Sequence, residues 1–226
     1  MFEISDVFIL PTAGTYRSNE LETMKEEYGW LHEYLEMLQL PFPSALQFIP
    51  DSQARNRIHA WSNFLQSKPR AVGAIIGGYP DNLGISLAVK YFRYAEWFCP
   101  DLMNRVNIVD GSQNNTVDDI KAIDPLLKQE AYKWVKIHFV SYRRHYLRIT
   151  PTLKQLGYNY DGWMDSGEKP VLNPIIDKAM IAITNHDPLW EHIFGKWLRR
   201  RANLNAQKYR DQCTATKVPN LFLPRL

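Results

Sequence analysis

Three Asx-Pro pairs do most to constrain how this 226-residue chain folds: Asp124-Pro125, Asn173-Pro174 and Asp187-Pro188. An Asp or Asn side chain caps a helix N-terminus, and proline suits the first helical position because its missing N–H would have no intrahelical partner there. The pairs predict three helices. The first runs from Pro125 to about Thr150, where Pro151 ends it; the second is "PIIDKAMIAIT"; the third runs from Pro188 to about Cys213.

Two earlier helices follow from periodicity. Leu21, Met24, Tyr28, Leu31, Leu35 and Leu38 recur at spacings of three and four, an amphipathic stripe that "PFP" at Pro41 to Pro43 closes. Ala54, Ile58, Trp61 and Leu65 form a second stripe, introduced by "PDS" at Pro50 to Ser52 and closed near Pro69. The segment from 70 to 110 is ambiguous. "RAVGAII", "GGYPDN" and "LGISLAVKYFRYAEWF" read as strand, turn and helix, with "RVNIVDG" as a second strand. The expected architecture is therefore mainly α: a helical bundle over residues 1–226 as a single domain, with a small strand element around residues 70–110 as an addition.

Composition narrows the function classes. A formal net charge of +3 is too small for a whole-protein field that would hold nucleic acid, so any basic surface must be local. Cys99 and Cys213 show no metal-ligand spacing and read as reduced thiols, which points to a cytoplasmic protein. The N-terminal "MFEISDVFIL" lacks the basic segment of a secretory signal, and the apolar run Ala71 to Pro80 is far shorter than the ~20 residues that cross a bilayer. No membrane role is expected. Aromatic residues make up 13% of the chain, enough to wall a pocket as well as fill a core.

On a helical wheel of ~100° per residue, Trp134, Val135, His138, Phe139, Tyr142, His145, Tyr146 and Ile149 share one face of the expected Pro125–Thr150 helix. Arg143, Arg144 and Arg148 lie on the other. The two histidines would stand roughly 10.5 Å apart along the axis, too far to share one metal ion. A buried histidine is more often satisfied by a hydrogen bond than by a metal, and arginines on a helix are more often solvated than engaged.

The run "WVKIHFVSYRRHYLRI", Trp134 to Ile149, resembles the proximal heme-binding helix of the tryptophan and indoleamine dioxygenase superfamily. The resemblance implies a heme-dependent oxygenase of an aromatic, indole- or phenol-type, small molecule. It makes His145 the axial iron ligand and Arg144 or Arg148 the partner of a propionate. The aromatic loop "GYNYDGWMDSGEKP", Gly157 to Pro170, would lie near the substrate.

Two other readings compete. "GKWLRRRANLNAQKYR", Gly195 to Arg210, is a basic stretch with interleaved aromatics that suits nucleic-acid phosphates. Alternatively, if "AVGAII" is a strand, Gly77 and Gly78 would let a loop approach phosphate at the N-terminus of a helix starting near Leu83, with Asp110 at the end of the next strand. The tail Thr214 to Leu226 is apolar enough to pack across its own bundle or across a neighbouring subunit of a homo-oligomer.

Overall fold

A computed structural model describes residues 4–12, 29–39, 48–78, 85–111, 116–129, 135–158 and 160–167. It overturns the mainly-α, all-α expectation. The described chain is an α/β fold built on a five-stranded sheet in the order β3-β2-β1-β4-β5, every neighbouring pair being parallel. The strands are β1 (Asp6–Pro11), β2 (Ala71–Ile76), β3 (Val106–Asp110), β4 (Lys136–Ser141) and β5 (Tyr160–Asp165). The helices are α1 (Trp30–Leu38), α2 (Ser52–Ser67), α3 (Leu87–Phe98), α4 (Thr116–Leu127) and α5 (Arg143–Leu156), with a 3-10 segment at Pro100–Arg105.

The expected strand element at 70–110 is β2 and β3, two strands of this larger sheet. Its centre is β1, buried along its whole length and paired with β2 on one side and β4 on the other. Side chains alternate across the sheet, so Phe8 and Leu10 face α1, α2 and α3 while Val7 and Ile9 face α4 and α5. Two cores result, one on each face. Each fully buried Val, Leu, Ile or Phe in them contributes roughly 1.5–3 kcal/mol of transfer free energy.

Helix α2 forms where its stripe predicts. Asp51 caps it by accepting from the Ala54 N–H at 2.7 Å, and Ala54, Ile58, Trp61 and Leu65 are all 0% exposed. Trp61 docks the helix on the sheet by donating its indole N–H to the Phe8 carbonyl at 2.9 Å. Gly73 of β2 makes room for that indole, because a Cβ there would lie 2.4 Å from Trp61 Cζ2. Arg105 ties the C-terminal end of α2 to β2, donating to the carbonyls of Leu65 at 2.7 Å and Ala71 at 2.8 Å, and also to that of Lys68.

The helix expected from Pro125 to Thr150 does not exist as one element. Pro125 lies inside the C-terminal turn of α4, the segment Lys136–Ser141 is strand β4, and α5 continues through Pro151 to Leu156. The reason lies in burial. Ile137 to Ser141 are all buried, with Ile137 and Phe139 on the α4 and α5 side and Val140 on the other. A short run buried on both faces looks alike as strand or helix, and the pairing with β1 decides for strand.

The middle of the expected aromatic loop is strand β5, which pairs with β4 as Val140↔Met164 and Ser141↔Asp165. The stretch 21–28 of the first stripe, the helices expected after Asn173 and Asp187, and the tail lie outside the described residues. No helix among the described residues is long and apolar enough to cross a membrane.

Gly73→Ala is expected to lower unfolding free energy by about 2 kcal/mol or more, because the methyl group displaces a packed indole from its carbonyl. Urea denaturation measures this, with Gly29→Ala, where a Cβ meets nothing within 4 Å, as the mild control.

Candidate functional site

Strand order reverses at β1. The chain moves outward from β1 through β2 to β3, then returns to place β4 on the opposite side. In open parallel sheets this switch point leaves a crevice at the carboxyl ends of the strands. Pairing of β1 with β4 ends at Ile9↔Phe139, whereas pairing of β1 with β2 continues to Pro11↔Ile76. The last residues of β1 and β4 therefore part at the switch point.

Buried polar side chains gather there. Ser141, the last residue of β4, is 0% exposed, and His145, in the first turn of α5, is 3% exposed; Ser141 Oγ and His145 Nδ1 share a hydrogen bond of 2.8 Å. Tyr142 packs against the His145 ring with centroids 5.7 Å apart. Arg57 of α2 places its guanidinium 5.9 Å from the centre of the Tyr142 ring and donates to the Pro11 carbonyl at 2.6 Å. A chain of contacts thus runs from the end of β1 through α2 to the start of α5.

On the β2 side of β1 lies a second group. Thr12 follows β1, Gly77 follows β2, Asp110 ends β3, and Asp119 stands in the first turn of α4. Backbone bonds lock these ends together: the Thr12 N–H donates to the Ile76 carbonyl at 2.7 Å, and the Gly77 N–H to the Asp110 carbonyl at 2.7 Å. Gly77 has φ of 112°, which a side chain would strain. Thr12 Oγ1 and Asp119 Oδ1 are buried without a hydrogen-bond partner among the described residues. A helix N-terminus ordinarily favours the carboxylate. Here burial, followed by the nearby carboxylates of Asp110 and Asp118, pushes the Asp119 carboxyl up to about 8.

The opposite edge of the sheet carries a polar cluster of another kind. Asp6 accepts from Ser5 Oγ at 2.7 Å and Lys68 Nζ at 3.3 Å, and its Oδ1 lies 2.6 Å from His138 Nε2. His138 also stacks on Phe8 with centroids 4.8 Å apart. Burial raises the Asp6 carboxyl, but the bonds to Ser5, His138 and Lys68 outweigh it and hold the group below its ordinary value. This cluster is saturated and structural. His138 lies within β4 and His145 in the first turn of α5 rather than on one helix face, the first buried against Asp6 and the second at the switch point.

The residues expected to hold heme, Arg144, His145 and Arg148, all fall on α5. His145 is not on a long proximal helix; it follows a strand by four residues. Arg144 and Arg148 fall on α5, and their side chains lie outside the described residues, as does the basic stretch Gly195 to Arg210. Among the described residues no group of three potential metal-ligating side chains occurs. The phosphate reading of Gly77 and Gly78 meets its own limit. The helix after them starts at Leu87, and its early N–H groups are already engaged: Ala88 donates to the Gly77 carbonyl at 3.0 Å and Val89 to Ser86 Oγ at 3.3 Å. Gly78 answers to packing, since a Cβ would lie 2.2 Å from Leu87 Cβ.

Thr12, Arg57, Asp119 and Ser141 are not among the residues that the sequence pattern singles out. Thr12 had one signal, a lone hydroxyl at the end of the apolar run Val7 to Pro11. Asp119 had none, because acids in a first helical turn ordinarily serve the helix dipole.

No protein-family model, curated protein or solved structure matches the chain. The site is therefore read from its own geometry.

Asp6→Ala is expected to cost about 1–3 kcal/mol, because it leaves the buried His138 Nε2 without its partner. Lys68→Ala should cost under about 1 kcal/mol, because the ammonium is half-exposed. With its folded-state value depressed, Asp6 contributes stability above the unfolded value near ~3.9 and loses it as pH falls through the folded one. Asp119 works in the opposite sense. Between roughly pH 4 and pH 8 the folded state keeps a proton that the unfolded chain has released, so stability falls as pH rises. Asp119→Asn should leave stability unchanged near pH 3.5 and raise it increasingly up to pH 8, as thermal melts across that range will show.

Proposed function

We propose that the protein binds a small polar organic molecule in the crevice at the carboxyl ends of β1, β2, β3 and β4, and performs acid-base chemistry on it. One observation carries this reading: the two polar clusters of the sheet differ. The amino-edge cluster around Asp6 is internally satisfied, whereas the carboxyl-edge cluster keeps buried oxygens on Thr12 and Asp119 without a partner among the described residues. A buried polar atom left unsatisfied costs about 1–3 kcal/mol. A fold that carries such a cost at its switch point, and not at its other polar edge, has a use for those atoms there.

In this reading Ser141 fixes the orientation of the His145 ring, and the imidazole moves a proton on the bound molecule. Arg57, held by the Pro11 carbonyl and Tyr142, braces the parted ends of β1 and β4. Asp119 supplies a second proton-carrying group whose value near 8 suits work at neutral pH. The crevice reading is preferred here to the heme oxygenase one: the run Lys136 to Ile149 is strand β4 followed by α5, although Arg144, His145 and Arg148 do share α5. A cytoplasmic setting fits the proposal. Cys99 is a free thiol that donates to the Ala95 carbonyl at 3.2 Å and is pushed up to about 11 by burial, a value that keeps it protonated and unreactive.

The test is a thermal-shift screen of the full chain against a broad library of nucleosides, sugars, amino acids and organic acids. At least one class should raise Tm, and the shift should vanish in His145→Ala and Tyr142→Ala while persisting in Lys68→Ala. A library without any stabilising compound, or stabilisation that survives His145→Ala unchanged, would sink the proposal.

A further inference from the structure

The corner formed by Thr12, Gly77 and Asp119 is more specific than the crevice that contains it. A Cβ built on Gly77 would lie 2.6 Å from Thr12 Oγ1 and 3.1 Å from Asp119 Oδ2. Both oxygens therefore converge over one bare Cα. They do not bond each other, since Thr12 Oγ1 has no partner among the described residues.

We propose that this corner is the subsite for an uncharged hydroxyl group of the ligand, and that the ligand is a sugar or a nucleoside. The inference rests on the carboxyl-edge crevice being the binding site. In it, the Asp119 carboxylic acid donates to the ligand hydroxyl oxygen, and the ligand hydroxyl donates its proton to Thr12 Oγ1. A hydroxyl both accepts and donates, so one group satisfies both sites without bringing a charge into a buried corner.

The surroundings favour this occupant over the alternatives. Asp119 is 3% exposed, and the carboxylates that bear on it are Asp110 at the end of β3 and Asp118 beside it on α4; Ala71 to Ile76 of β2 supply no titratable side chain. An anionic ligand would meet those carboxylates directly. A metal ion would have to displace the Asp119 proton, and among the described residues no group of three side chains stands together to hold one. Gly77 completes the corner, because any side chain there would fill the approach to both oxygens.

Isothermal titration calorimetry with D-ribose, D-glucose, adenosine and uridine as probes tests the assignment at pH 6.5, on the wild-type chain, Thr12→Val, Asp119→Asn and Asp119→Leu. Folding of each variant is checked by circular dichroism and Tm. At least one probe should bind. Asp119→Asn, an uncharged donor of the same shape, should keep affinity within about threefold, while Asp119→Leu and Thr12→Val should each weaken it about tenfold or more.

Equal loss in Asp119→Asn and Asp119→Leu would mean that an ionised Asp119 is needed, as for a cation, and would overturn the proposal. Unchanged affinity in Asp119→Leu would place the ligand elsewhere and also overturn it. If none of the four probes binds, this inference falls, while the broader crevice reading stands or falls separately on the library screen and its His145 dependence.

Discussion

Everything in this structure hangs on β1. Its six residues are buried on both faces, so every backbone N–H and C=O in it needs a partner within the protein. Neighbouring parallel strands on both sides supply most of them, and Trp61 and Arg57 of α2 reach the carbonyls of Phe8 and Pro11 besides. Once β1 is central, β2 and β4 must lie on opposite sides of it. The helices that connect successive parallel strands then have to cover both faces, because right-handed crossovers in opposite directions fall on opposite faces.

The candidate site is a consequence of that arrangement rather than an addition to it. The reversal at β1 brings together residues from the ends of β1, β2, β3 and β4 that no local signal connects. Divergence of β1 from β4 beyond Ile9↔Phe139 makes room for Tyr142 and His145, and tight backbone bonding among Thr12, Ile76, Gly77 and Asp110 fixes the other flank. The same strand β4 places His138 in a saturated amino-edge cluster and His145 at the switch point. Two histidines of one short segment thus hold different stations, one bonded to Asp6 at the amino edge and one bonded to Ser141 at the switch point. Asp119 is costly to keep where it is, because burial and the carboxylates of Asp110 and Asp118 oppose its charged form.

Legibility in the sequence varied with how local the physical cause was. Helix α2 was plain, from Asp51 as cap to Ala54, Ile58, Trp61 and Leu65 as buried face, because cap and stripe are both local devices. Strands β2 and β3 were half-legible, as short β-branched runs followed by glycine in a segment whose pattern stayed ambiguous. The segment from Lys136 to Ile149 misled. Its apolar and aromatic residues suit a helical wheel well, and the only local hint of a strand was the β-branched content of Val135, Ile137 and Val140. The Asx-Pro signal at Asp124-Pro125 likewise marked no helix start, since upstream residues from Thr116 already form α4 and Pro125 falls in its final turn.

By itself, the sequence determined the elements whose signals lie within one turn or one strand: the capped α2 and, as one of its readings, the run Ala71 to Ile76 with the glycines that follow it. Tertiary structure alone decided that Lys136 to Ser141 is a strand, since burial on both faces erases the difference in periodicity and only pairing with β1 restores it. It alone decided, too, that Thr12, Gly77, Asp119, Ser141 and His145 meet at one edge. Residues so far apart in the chain become neighbours only through the order in which strands take their places beside β1, and no local pattern encodes that order.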